Sequence, residues 1–147
     1  FQVSGAGVWT DATFRRVATF VVDASNNLNI RRDNTNNQIS AAYTAGGTFK
    51  SVETTLFGGS TNWIHVALTW SRSSGASGEM KFYGNGAQIG ITQTGLGTWA
   101  GAMASNQCVI GAAITTPTQV WSGNLAHAAI WDTPLSAAQI LTLATVL

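Results

Sequence analysis

Charged side chains are scarce in this chain: seven Lys and Arg and six Asp and Glu make up 9% of 147 residues, against about 25% in an ordinary soluble domain. The net charge is only +1. A nucleic-acid-binding face needs a basic stripe, which seven scattered cations do not supply. Cys108 is the single cysteine, so an internal disulfide is excluded and packing alone must hold the fold. Flanked by Val109 and Ile110, it reads as a buried, inert thiol. No apolar run reaches the roughly 18 residues of a spanning helix, so no membrane insertion is expected. The first residue is Phe1, with neither Met nor a charged-then-apolar leader, and the chain reads as a single domain excised from something longer.

Apolar residues make up 45% of the chain, and the length suffices for one domain with its own core. The polar surface must come from Thr, Ser, Asn, Gln and Gly. Such a surface suits an extracellular or particle-borne module. Residues 63–70 alternate, with Ile64, Val66, Leu68 and Trp70 on one face and Trp63, His65, Ala67 and Thr69 on the other. That period marks a half-buried strand. Residues 71–78 are small and polar, a loop. Met80 and Phe82 share a face of the next strand, and Asn85-Gly86 supplies the positive φ that a two-residue hairpin demands. Residues 87–92 return as a third strand.

Further strands are expected at 14–22, 28–32, 38–43, 49–57, 107–112 and 120–131, the last with a bulge near Gly123. Asx-rich turns at 23–27 and 33–37 and the run Ala45-Gly46-Gly47 separate the early ones. Residues 94–106 read as a long loop holding Leu96, Trp99 and Met103. Short strands at this spacing make an all-β sandwich. One helix is expected over 137–143. Ser136 and Gln139 form a capping box, Leu135 and Ile140 a hydrophobic staple, and Pro134 keeps the approach extended.

Three phrases occur in order: Trp63 to Ala67 (Trp-x-His-Val-Ala), Phe82-Tyr83-Gly84-Asn85-Gly86, and Gly123-Asn124-Leu125 with Ile130-Trp131 and Leu135-Ser136-Ala137-Ala138-Gln139-Ile140. Together they resemble the laminin G-like branch of the concanavalin A-like lectin/glucanase superfamily, over roughly 14–143. The resemblance implies a jelly-roll sandwich of two antiparallel sheets with one short C-terminal helix. It also implies an early strand pairing near the carboxyl-terminal one, a role only residues 1–8 can fill. Calcium-binding relatives often carry an acidic pair in the tail motif, where this chain has Ala126 and His127. No cofactor is therefore expected; Asp132 and Asn85 remain as oxygens for at most a weak calcium site.

Glycoside hydrolysis needs two carboxyls roughly 5–9 Å apart. The acids are Asp11, Asp23, Asp33, Glu53, Glu79 and Asp132, and no two share a strand at i, i+2, so the chain is not expected to be an enzyme. A hydrolase would have to use scattered acids such as Glu53 or Asp132. His65 and His127, with no Cys or carboxylate beside them, are a poor metal pair, and none is expected. Sugar recognition needs an exposed aromatic with polar groups nearby. Trp63 and Trp70 are assigned at least partly to the core and Trp131 to packing beneath the helix. Trp9, Trp99 and Trp121, with Tyr43, fall in or beside loops and are the stacking candidates, although loop tryptophans also plug sandwich ends. Arg15-Arg16 and Arg31-Arg32 each place one residue per strand face, so Arg16 and Arg31 or Arg32 can converge on an acidic sugar or a partner protein, with Arg16 and Arg31 taken as the site candidates. Solvated strand edges are the plainer reading of both pairs.

Two function classes follow. The first is a non-catalytic, lectin-like module binding a glycan or a cell-surface partner, extracellular or on a virion surface. The alternative is a structural decoration, tail-fibre or assembly domain, a homo-oligomer or part of a larger particle.

Overall fold

The computed structural model describes residues 1–5, 13–34, 38–58, 60–71, 78–104 and 107–146. Among them the elements run β1 (Gln2–Gly5), β2 (Arg15–Asp23), β3 (Asn26–Arg32), β4 (Ile39–Ala45), β5 (Thr48–Thr54), β6 (Ile64–Ser71), β7 (Glu79–Gly84), β8 (Ala87–Thr94), β9 (Cys108–Ile110), β10 (Gly123–His127) and α1 (Ala137–Val146). The strands pair antiparallel in two five-stranded sheets. The first has the order β10-β1-β6-β7-β8 and the second β5-β4-β3-β2-β9. This is the all-β jelly-roll sandwich that the motifs imply.

Alternation decides what lies between the sheets. In the second sheet, Ala18, Ile30, Ala41 and Val52 stand abreast, and Phe20, Leu28 and Tyr43 form the next row. Facing them from the first sheet are Val3, Ile64, Val66, Met80 and Phe82. All are buried in one core, joined by Leu96 from the long loop. At roughly 1.5–3 kcal/mol per fully buried large apolar side chain, these rows dominate the driving force.

Turn chemistry fixes the registers. Asn85 (φ 48°) and Gly86 (φ 83°) join β6's partner β7 to β8, and Gly46 (φ 55°) and Gly47 (φ 78°) join β4 to β5. Both pairs take the left-handed conformations of a two-residue hairpin. Asp23 Oδ1 accepts from Ser25 N at 2.8 Å in the β2–β3 turn. Buried Asn26 then pins the long loop: its Oδ1 accepts from Ala100 N at 2.9 Å and Gly46 N at 3.2 Å.

Several boundaries differ from expectation. The closing strand covers only Gly123–His127, because its partner β1 begins at Gln2, opposite His127, and residues 128–131 find no ladder. The strand expected over 107–112 shrinks to Cys108–Ile110, because at Gly111 the chain leaves β2 for a loop. Cys108 itself is exposed, not buried. Nearby packing still raises its thiol pKa by desolvation, which keeps it protonated. The early strand does exist as β1, which pairs with both β10 and β6.

The helix begins where its cap places it. Ser136 N donates to Gln139 Oε1 at 2.8 Å and Gln139 N to Ser136 Oγ at 3.3 Å, a reciprocal capping box. Ile140 is its buried residue. Ser136→Ala should cost about 1 kcal/mol. For a chain of this size that lowers the melting temperature by about 3 °C in a calorimetric scan, without changing the strand content seen by circular dichroism.

Candidate functional site

The outer face of the second sheet carries a band of polar side chains that the strand registers bring abreast. Arg16 of β2 stands opposite Arg31 of β3, Arg31 opposite Ser40 of β4, and Ser40 opposite Glu53 of β5. Asn29 follows in the next rung, opposite Thr19 and Ala42. Phe14, just before β2, lays its ring over both guanidinium groups, with its centroid 4.6 Å from Arg31 Cζ and 5.7 Å from Arg16 Cζ. Gln119 Oε1 accepts from Arg16 Nε at 2.7 Å, and Asp33 Oδ2 lies 3.7 Å from Arg31 Nη2. Thr19 Oγ1 donates to Ala112 O at 3.1 Å, tying the 111–119 loop across one end.

Two like charges directly opposite each other on a sheet repel. Arg16 is pushed down to about 10, first by burial and then by Arg31, against the opposing pull of Asp33. Arg31 is lowered by burial, with Asp33 and Glu53 acting in the other direction. Both stay cationic at neutral pH. The electron-rich face of Phe14 and the nearby acids offset part of their mutual repulsion. The hydrogen-bonding capacity is not used up: among the described residues Arg16 Nη1, Arg31 Nε, Ser40 Oγ and Asn29 Oδ1 are buried without a partner. Buried polar groups normally find partners, so four orphans on one face mark a site short of hydrogen-bond partners.

The fold therefore unites Arg16 and Arg31, whereas the side chains of Tyr43 and Trp121 are buried in the core. Tyr43 is 1% exposed and faces the core from β4, not from a loop. Trp121 is 7% exposed, and its Nε1 donates to Ser4 O at 3.2 Å. Trp99 is half-buried, its ring centroid 5.7 Å from that of Tyr43. These three act as plugs, because the face each presents is set by pairings far away in the chain. Trp9 lies outside the described residues. Trp131, expected beneath the helix, is 48% exposed. Arg32 turns inward and donates to Thr13 O. Phe14 was missed as a site residue: it reads locally as the start of an apolar strand, and only the Arg16–Arg31 register reveals its role.

The two histidines flank Gln2 in the first sheet, His65 on β6 and His127 on β10, one whole strand apart. Among the described residues no group of three His, Cys, Asp or Glu is placed to hold a metal ion. Asn85, one of the two side-chain oxygens considered for calcium, uses its Oδ1 to accept from His65 N at 2.9 Å. Of the described acids, Asp23 caps a turn, Asp33 pairs with Arg31, and Glu79 with Lys81 at 2.6 Å.

His65 is 6% exposed, with Nδ1 buried and unpartnered. Burial, and then the Phe1 amino group, push its pKa down to about 4 from 6.5. A depressed folded-state value means that the unfolded chain binds the proton more readily. Stability is then full above pH 6.5 and falls as pH drops toward 4. The loss attributable to His65 should reach about 3 kcal/mol. Urea midpoints measured at pH 7 and pH 4 should separate in the native protein and draw together in His65→Gln.

Residues 1–141 match the family model Laminin_G_3, described as the concanavalin A-like lectin/glucanases superfamily. Neither a curated protein nor a solved structure matches the chain. Laminin G-like domains are generally non-catalytic binding modules and typically extracellular. No helix among the described residues is long and apolar enough to cross a membrane.

Proposed function

The chain belongs to the concanavalin A-like lectin/glucanases superfamily, and we propose that it is a non-catalytic recognition module that binds an acidic glycan on the outer face of its second sheet. The observation that carries this reading is the pair Arg16 and Arg31, opposed across β2 and β3 beneath Phe14 and left with unused donors. A carboxylate or sulfate on a sugar relieves their repulsion and takes charge-assisted bonds from guanidinium forks. The apolar C–H face of the ring packs on Phe14, and Gln119 supplies a partner for hydroxyls. Glu53 and Asp33 at the far side disfavour large polyanions and set a limit of one or two charges. The module works outside the cell or on a particle surface, where such ligands are found.

A second reading, an assembly domain such as a piece of a virion fibre, draws on the exposed side chains of Leu56, Ile91 and Ile130. Such side chains become buried if copies pack together. Light scattering that finds a stable trimer at micromolar concentration favours it.

A glycan array with the native protein should give binding to acidic sugars above their neutral counterparts. Arg31→Gln and Phe14→Ala should each weaken that binding at least tenfold, roughly 1.4 kcal/mol, while Ser136→Ala, in the cap of the helix that packs on β8 of the other sheet, leaves it unchanged. Silence across the array at millimolar ligand contradicts the proposal.

A further inference from the structure

Among the described residues, Asn85 and Gln119 are the ones other than glycine with a positive φ. Asn85 stands at a hairpin corner, and asparagine takes the left-handed conformation readily. Glutamine does not. Gln119, at φ 51°, is strained, and such a conformation persists only where the surroundings hold it. What holds it is a single arginine. Arg16 N donates to Gln119 O at 2.9 Å, Arg16 Nε donates to Gln119 Oε1 at 2.7 Å, and Arg16 pairs with Val120 in an isolated parallel bridge. Gln119 therefore grips Arg16 twice, once through its main chain and once through its side chain.

The loop that carries Gln119 is fixed at both roots and exposed between them. Gly111 N donates to Val17 O at 2.9 Å and Thr19 Oγ1 to Ala112 O at 3.1 Å, which ties its entry to β2. Trp121 N donates to Gly111 O at 2.8 Å, which ties its exit to its entry. Ala113 N donates to Thr118 O at 2.9 Å and closes the exposed residues 114–118 into a turn. The last step of that turn is the left-handed Gln119. Glycine would take this step without strain but brings no amide. Asparagine would also take it, but its amide is one methylene short of the glutamine's reach. The strain is thus coupled to a side chain long enough to meet Arg16 Nε.

We infer that Gln119 is the positioning residue of the arginine band and sets its preference for acidic sugars, by holding Arg16 at Nε so that its terminal nitrogens remain for the ligand. This rests on the reading that the band binds an acidic glycan. A guanidinium presents its donors in a rigid planar fork, so fixing one nitrogen fixes the direction of the others. With Nε taken by Gln119, a carboxylate meets Arg16 end-on, through Nη1 and Nη2. The second consequence is one of charge. An amide orients Arg16 without neutralising it, whereas a carboxylate in the same place would form an ion pair and compete with the anionic sugar. Asp33 and Glu53 already act on Arg31, so a further acid beside Arg16 would leave neither arginine free of one.

The test follows glucuronate binding, and the exchange of the Arg16 Nε–Hε proton with water, in ¹⁵N–¹H spectra of the 147-residue protein. Gln119→Gly keeps the turn and removes the amide. Its Arg16 Hε should exchange at least tenfold faster and its glucuronate affinity should fall at least tenfold, with a cooperative melting transition retained. Gln119→Asn, at ease in the turn but too short, should behave in the same way and serves if the glycine variant does not fold. Gln119→Glu keeps the reach and the acceptor, so Arg16 Hε should stay as protected as in the native protein while glucuronate binding still falls at least tenfold. A purely structural role would move protection and binding together in all three variants. Three results overturn the inference and leave the band as the binding face: native affinity in Gln119→Gly, native affinity in Gln119→Glu, or an Arg16 Hε that exchanges as fast in the native protein as in Gln119→Gly. Native protein without saturable glucuronate binding overturns both the inference and the reading on which it rests.

Discussion

The hydrogen-bonded meeting of His65 with Asn85 sets the register of β6 on β7, and from that register follows the side of the sheet to which each neighbouring residue turns. Asn85 N donates to His65 O at 2.8 Å, and Asn85 Oδ1 accepts from His65 N at 2.9 Å. A slip of one residue would send Ile64, Val66, Leu68 and Trp70 to the outer face and bring His65, Ala67 and Thr69 inward. Four large apolar side chains would then be exposed, a loss of several kcal/mol at the usual value for burial. The same register turns the even-numbered main-chain groups of β6 away from β7, where Val66 N donates to Phe1 O at 2.8 Å. One turn therefore governs both the core and the pairing with the first residues of the chain.

The second sheet shows how a chain with few charges concentrates them. Its inner rows are mainly apolar, with polar members such as Lys50 opposite Tyr43 and Arg32 opposite Ile39 toward their ends, and its outer face gathers Arg16, Arg31 and Glu53 within one rung. Arg16 and Arg31 are half-buried, and desolvation lowers both pKa values. Such a pair is tolerated because Phe14, Gln119 and Asp33 each offset part of the cost. The arrangement contributes little to folding, since opposed like charges oppose it. An anion that bridges them removes that penalty, which links the local electrostatics to recognition.

Local signals made much of the fold legible. The Asn85-Gly86 turn, the alternation of β6 and the Ser136–Gln139 cap are each written in a few adjacent residues, and each forms as read. What was not legible depends on distant pairings. Tyr43 looked like a loop aromatic until its register with Leu28 placed it in an inward row. Trp121 is buried through a bond to Ser4, 117 residues away. The closing strand stops at His127 because β1 offers no further partner, a fact about the opposite end of the chain. Half of the candidate site was legible: strand parity gives Arg16 with one of Arg31 and Arg32, whereas the choice of Arg31 and the arrival of Phe14, Ser40 and Asn29 beside it need β2, β3 and β4 side by side.

Recognition through the arginine band is the claim that matters most, and the Nε–Hε resonances of the arginines report on it directly. In a ¹⁵N–¹H spectrum at neutral pH, titration with an acidic monosaccharide such as glucuronate should shift Arg16 and Arg31 together along one saturable curve and leave Arg15 and Arg32 in place. Shifts confined to Arg15 or Arg32, or no saturable change at Arg16 and Arg31 at high millimolar sugar, would contradict it.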